Sequence, residues 1–430
     1  MREEFGRGRC DDYVGLLLKE VYGRHNAGRA FSREVLLWFE FLAGASDIDV
    51  RIFISDRCII TIKWRGEFFV ILLHVDDGLA WYTAESILHE VLRRMRQRFI
   101  LEVQETTTYC GIDVVSDPGK QLVKFSQKWH LELMLEVWGM QGHNPVRQPS
   151  MSGAAGASAL QPWTGVPTPR ETFDYAMLIG DLVWLTKTMK SITWAVHCLA
   201  QHIRCPGPPH VQAAIHLLRY VKHARDVELT LDGSDKALTE GWDRRLKVVI
   251  KFDAALPLPG KIGTTGIAAY INGGCFSALS RKQRTISNNS CEAETKAADT
   301  ASHLGKGYRN LLAEFLEVWP AATILEGDCR GSVKKVEKRT DTKSSVSFKR
   351  SLASIEQDVG DGSSVFNLVP REFNDADNMT QQGSPFEDWL RRDETIMGTR
   401  PFVHVTDTVR AAQRYDAEQR ARADLHASTS

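Results

Sequence analysis

Four carboxylates stand at the ends of differently patterned segments and could together do phosphodiester chemistry. Asp253 ends the apolar run Val248 to Phe252. Glu294 lies in an Ala-rich stretch of helical character, and Asp328 follows the apolar residues Ala321–Leu325 through Glu326 and Gly327. Asp377 sits in VFNLVPREFNDADNMT. Acids on separate elements can hold two divalent ions about 4 Å apart, an arrangement that stabilises both the attacking and the leaving oxygen of an in-line displacement. Oxygen-only ligands favour Mg²⁺ or Mn²⁺.

The elements that must position them can be read locally. Val248–Phe252 is a buried-strand pattern. Two further strand-like runs, Gly266–Ile271 and Cys275–Leu279, meet at Asn272-Gly273, a dipeptide suited to the positive φ angles of a two-residue hairpin. A helix is predicted from Asn289, with Glu292 completing a capping box. Residues two apart on a helix point about 200° away from each other, so Glu292 and Glu294 cannot serve one site. Ala297, Ala298 and Ala301 share the face of Glu294, and their small side chains let the helix approach the strands. Asp377 is predicted at the start of a final helix.

Taken in order, Asp253, NSCEAE, GDCRG and ADNMT resemble the SDADW, SSTEAEY, CDNxS and ADxxTK segments of the ribonuclease H (RNase H) domain of copia-type retrotransposon Pol polyproteins. The resemblance implies a catalytic, metal-binding set of Asp253, Glu294, Asp328 and Asp377. It extends upstream. LLLKEVYGRHNAGRAF (16–31) is similar to the family's KLKKSLYGLKQAPRAW, with Tyr22, Gly23, Ala27, Arg29 and Ala30 matching and Asn26 and Gly28 departing. EFFVILLHVDDGLAWYT (67–83) resembles the reverse-transcriptase palm hairpin, which makes Asp76 and Asp77 the polymerase metal ligands, with His74 where the family has Tyr. A helix over 84–99 with Ile87, Val91 and Met95 on one stripe follows. TTTYCGIDVVSD, LVKFSQKWHLELMLEVWGM and HVQAAIHLLRYVKHARD also have family counterparts.

The implied architecture is α+β and α/β: a partial reverse transcriptase palm with a helical connection, then an RNase H-like mixed five-stranded sheet flanked by helices. The expected division is 1–140 for fingers and palm, 141–170 for a linker rich in Gly, Ala, Ser and Pro, and 171–243 for a helical thumb or connection with two helical patterns. RNase H then occupies 244–381 and a charged tail 382–430.

Length and composition agree with several domains. The chain has 430 residues, 43% hydrophobic, with Lys+Arg and Asp+Glu equal at 54 each. With no net charge, a nucleic acid must be held by local basic groups such as Arg281, Lys282 and Arg284, or Lys334, Lys335, Lys338 and Arg339. The 8 cysteines show no CxxC pair, which argues against a structural zinc site or a disulfide framework. His197, His202, His210 and His216 lie around a Pro-Gly-Pro-Pro break and are not read as a metal cluster. No apolar signal core or membrane-length apolar run is present, so an intracellular site, cytoplasmic or nuclear, is expected.

Two departures from the family bear on activity. The third polymerase carboxylate, expected well before Tyr22, is not found, so the chain is read as N-terminally truncated and is not expected to extend a primer. Ala254-Ala255-Leu256-Pro257 follows Asp253 in place of Ala-Asp-Trp, and no histidine lies between His303 and His404. The leading expectation is a fragment of a retrotransposon Pol protein, a reverse transcriptase by descent, whose RNase H cleaves the RNA strand of RNA·DNA hybrids with Mg²⁺ or Mn²⁺, acting on a hybrid or template-primer. The alternative is a non-catalytic nucleic-acid-binding protein of the same descent.

Overall fold

The computed structural model describes residues 27–104, 108–117, 119–232, 247–256, 262–271, 273–317, 320–332, 336, 348–380, 386–400 and 402. The chain divides into two compact units, Met1–Cys110 and Gly111–Ser430. Tyr22, Gly23, Asn26, Asn272, Pro257, the Lys334–Arg339 cluster's basic residues and His404 lie outside the described residues.

In the first unit, helix α1 (Ala27–Ala43) precedes four strands, β1 (Asp49–Ile52), β2 (Ile59–Trp64), β3 (Glu67–His74) and β4 (Asp77–Tyr82). They pair in sequence order, each antiparallel to the next. Alternation puts Ile60, Ile62, Phe69 and Ile71 on one face, where they meet Val35 and Phe39 of α1 and Ile87 and Val91 of α2 (Glu85–Met95). The stripe Ile87, Val91, Met95 is buried, as its helical spacing predicts. The short strand β5 (Thr108–Tyr109) follows, and the Tyr109 hydroxyl donates to the Leu72 carbonyl at 3.1 Å.

The hairpin between β3 and β4 turns on Val75-Asp76, because His74 faces Asp77 across the ladder. Val75 has φ of 56°, in the left-handed region. A β-branched side chain there costs roughly 1–2 kcal/mol, whereas asparagine adopts it readily. Val75→Asn is therefore expected to stabilise the first unit by about 1 kcal/mol, read from the urea midpoint. A lower midpoint would show that the contacts of Val75 outweigh its strain.

The second unit opens with β6 (Ile112–Asp117) and β7 (Leu122–Ser126), and β7 pairs with β8 (Leu229–Asp232) far along the chain. Between them lie α3 (Lys128–Val137), α4 (Gly153–Ala159), α5 (Tyr175–Leu185), α6 (Thr193–Ala200) and α7 (Pro208–His223). Leu131 and Met134 of α3 share one core with Leu178, Leu182, Leu217 and Val221. For this reason the compact division falls at residue 110 and not at 140. The small-residue stretch 141–170 contains α4, whose Ala159 is buried in that core. The two expected helical patterns are three helices, since a 3-10 turn at Lys190–Ile192 separates α5 from α6.

The last part is a five-stranded sheet in the order β11-β10-β9-β12-β13. The strands are β9 (Val248–Ala255), β10 (Thr264–Ile271), β11 (Gly274–Lys282), β12 (Thr323–Gly327) and β13 (Ser364–Leu368). β9, β10 and β11 are antiparallel, while β12 runs parallel to both β9 and β13. This is the RNase H-like mixed sheet that the resemblance implies. Ile271 faces Gly274, so the hairpin loop has the expected two residues, with Gly273 at φ 84°. On one face, α8 (Ser290–Leu316) and α9 (Lys349–Gly360) cover Val248, Ile250, Phe252 and Leu325. Ala297, Ala298 and Ala301 of α8 are fully buried there, as the small-residue face predicts. The other face carries a 3-10 helix, Asp375–Met379, and α10 (Phe386–Met397). Met379 and Ile396 pack there with Val249, Ala268 and Tyr270. Asp377 thus lies on a short 3-10 turn and not at the head of an α-helix. Residues 386–397 belong to the packed fold, beyond the sequence boundary at 381.

Candidate metal centre

Parallel pairing of β9 and β12 carries Asp253 and Asp328 to the same end of the sheet. The α8 helix supplies the third acid from its first turns. Asn289 caps it by accepting from the Glu292 N–H at 2.9 Å. Glu292 reaches back to the Asn288 N–H at 3.0 Å and pairs with Lys296 at 2.8 Å. With Glu292 held this way, Glu294 turns to the sheet, where its Oε1 accepts from the Ala254 N–H at 3.3 Å.

Asp253, Glu294 and Asp328 each present a carboxylate oxygen within 4.8 Å of the others. Asp253 and Glu294 are each only 6% exposed, and Glu294 Oε2 is buried without a hydrogen-bond partner among the described residues. Burial, then the charges of Asp328 and Asp377, push Asp253 up to about 7. Burial and the charges of Asp253 and Asp328 hold Glu294 well above the usual carboxylate range. Asp328 is raised by burial and by Asp377, against a lowering pull from Arg371. Buried acids crowded so closely suit a divalent cation, which would relieve their repulsion and take up the orphaned oxygen.

Asp377, the fourth acid, is close enough to raise both Asp253 and Asp328, but its oxygens are held by arginines. Arg392 Nη1 of α10 lies 2.5 Å from Asp377 Oδ2, and Arg371 Nη2 lies 3.5 Å from Oδ1. Thr380, the last residue of ADNMT, donates its hydroxyl to Asp253 Oδ2. Gly266, opposite Asp253 on β10, makes this approach possible. A Cβ there would lie 2.5 Å from Thr380 Cγ2 and 2.7 Å from the Ala376 carbonyl oxygen.

Behind this segment Lys251, 2% exposed, donates to Asp375 Oδ2 at 2.7 Å and to the Phe373 carbonyl at 2.8 Å. The Tyr270 hydroxyl donates to the same Asp375 oxygen at 2.9 Å. Glu326, the register neighbour of Lys251 on β12, is fully buried and raised to about 7 by burial. Sequence reading missed Arg392, Lys251 and Gly266. Only Gly266 left a signal, an isolated glycine inside a strand pattern, which marks close backbone approach.

The other sequence-predicted residues sit elsewhere. Asp76 and Asp77 are exposed at the tip of the first unit's hairpin. Among the described residues they belong to no group of three potential ligands. Arg281, Lys282 and Arg284 are exposed at the end of β11 and in the loop before α8. His202 and His210 stack at 3.8 Å, and His210 and His216 bond backbone carbonyls of Gln161 and Gln148. These histidines serve packing and loop anchoring.

No protein-family model matches the sequence. The retrovirus-related Pol polyprotein from transposon RE2 of Arabidopsis thaliana is 28% identical over 295 residues, covering 68% of this chain and 19% of that protein. That from transposon RE1 of the same plant is 27% identical over 299 residues, with the same coverage of each. The chain's homologues include retrovirus-related Pol polyproteins of plant copia-type transposons, at 23% to 28% identity. It spans about a fifth of the length of these copia-type relatives, 19% in each case. Among solved structures, it is similar to the N-terminal RNase H domain of a Mycobacterium tuberculosis protein fused to maltose-binding protein. Identity is 15%, with 36% of this chain and 99% of that chain covered at a TM-score of 0.25. The RNase H-like character of the fold rests on this chain's own strand order. Among its described residues no helix is long and apolar enough to cross a membrane.

Proposed function

We propose that the second unit is a metal-dependent ribonuclease H that cleaves the RNA strand of an RNA·DNA hybrid. The observation that carries this reading is the convergence of Asp253, Glu294 and Asp328 within 4.8 Å at the carboxyl ends of β9 and β12. Asp253, Glu294 and Asp328 would hold Mg²⁺ or Mn²⁺, which supplies Lewis acidity at the phosphate and a stronger water nucleophile when bound. The protein's own part is to aim these oxygens. Thr380 orients the Asp253 carboxylate, the Ala254 N–H orients Glu294, and the sheet keeps Asp253 and Asp328 side by side. Arg281, Lys282 and Arg284 would contact the phosphates of the hybrid, a sequence-independent attraction that weakens with salt. Asp76 and Asp77 keep the palm hairpin's place without a third acid among the described residues, so no polymerase step is assigned.

The test incubates the full chain with a hybrid labelled on the RNA strand, with Mg²⁺, with Mn²⁺ and with EDTA. RNA-strand cleavage that depends on metal supports the proposal. Hybrid binding in EDTA with no cleavage in either metal rejects it in favour of the non-catalytic binding protein.

A further inference from the structure

The pairing of Asp377 with Arg392 changes how many ions the site can take. Asp253, Glu294 and Asp328 converge, Asp377 lies close enough to act on Asp253 and Asp328, and two guanidinium groups, Arg371 and Arg392, pair with Asp377. With all four acids ionised, the surplus is two negative charges, which is the charge of one divalent ion. Arg392 and Asp377 are 3% and 2% exposed at the side chain, so neither is screened by solvent. Arg392 also donates to the Arg371 carbonyl at 3.2 Å, which fixes the guanidinium in the gap between α10 and the 371–377 segment. Its charge reaches past Asp377 and pulls on Asp328 as well. On the far side, Glu294 Oε2 is buried and unpartnered among the described residues, and it points to where a cation is still wanted. The cluster is thus split into a half already neutralised by protein and a half that is not.

We propose that Arg392 stands in for a second divalent ion, so that the site binds one ion through Asp253, Glu294 and Asp328 while Asp377 is not a ligand. This rests on the metal-binding reading above and sharpens it, since the sequence by itself implies four ligands and two ions. Arg392 acts as a positioning residue. It keeps the Asp377 carboxylate out of the coordination sphere.

Mn²⁺ titrated into the metal-free full chain, followed by calorimetry and by the loss of the free-ion paramagnetic resonance signal, counts the bound ions directly. One ion per chain is expected for the wild type and two for Arg392→Met. The double variant Asp377→Asn, Arg392→Met removes both charges of the pair and keeps the surplus at two, so it is expected to bind one ion with an affinity within about threefold of wild type, and this arm decides the matter even where Arg392→Met alone does not fold. Two ions on the wild type, one ion on a folded Arg392→Met, or a loss of tenfold or more in affinity for the double variant overturns the role of Arg392. No bound ion on the wild type overturns the metal-binding reading itself.

Discussion

Asp253→Asn is expected to abolish hybrid cleavage and, in the metal-free protein at pH 8, to raise stability on the order of 4 kcal/mol. Both effects come from one cause. Asp253 is buried beside Asp328 and Asp377, and its folded-state value is pushed up to about 7 from 3.8. The folded protein therefore binds a proton that the unfolded chain has released between about pH 4 and pH 7. Stability from this group is fully present below about pH 4 and is lost as pH rises through 7. Asparagine keeps an oxygen to accept from Thr380 and carries no charge to be repelled, so the variant escapes that loss. It also removes one of the three carboxylates proposed to hold the ion. Urea unfolding in EDTA at pH 4 and pH 8 measures the effect: the two proteins should be close at pH 4 and separate at pH 8. An equal gap at both values would mean that charge repulsion is not its source. Mg²⁺ should narrow the gap at pH 8 by stabilising the wild type alone, because a ligand bound only to the folded state adds to stability by mass action.

Lys251→Met is expected to destabilise the second unit by about 3–5 kcal/mol, the usual cost of removing one partner of a buried ion pair. The Lys251 ammonium is bound to Asp375 and to the Phe373 carbonyl, and it is the charge that offsets burial at Glu326. Methionine fills much of the volume but leaves Asp375 buried without its ammonium partner, with the Tyr270 hydroxyl as its remaining named donor. The double variant Lys251→Met, Asp375→Asn should recover most of the loss, since the Asp375 charge is then removed together with its partner. A loss as large in the double variant would place the effect in packing. Hydrogen exchange adds a local readout. The segment 373–380 is tied to β9 by Lys251 and by the Thr380–Asp253 bond, so its amides should exchange faster in the single variant.

Much of the fold is legible in the residues because it depends on local periodicity. The strand ending in Asp253, the two-residue hairpin closed by Gly273, the Asn289 cap and the Ala297–Ala298–Ala301 face all follow from backbone preferences and side-chain size. Three acids of the quartet converge for the same reason, since each is tied to a patterned element. Other features rest on contacts between distant segments. The division at residue 110 arises because β7 pairs with β8 across about a hundred intervening residues, which no local window records. The tail boundary at 381 moved because α10 is amphipathic and finds its apolar partner only on the assembled sheet.

What the sequence determined by itself is therefore the resemblance to Pol polyproteins, the mixed sheet and the order of its acids, because motif spacing and period are properties of the chain alone. Only the tertiary structure decided what charge state those acids meet. Lys251 lies 124 residues from its partner Asp375, Arg392 lies in a helix beyond Asp377, and nothing in their local context marks them as partners. Burial makes a paired carboxylate and an unpaired one chemically different, and burial exists only once β9, β10, β12, α8 and α10 have packed together.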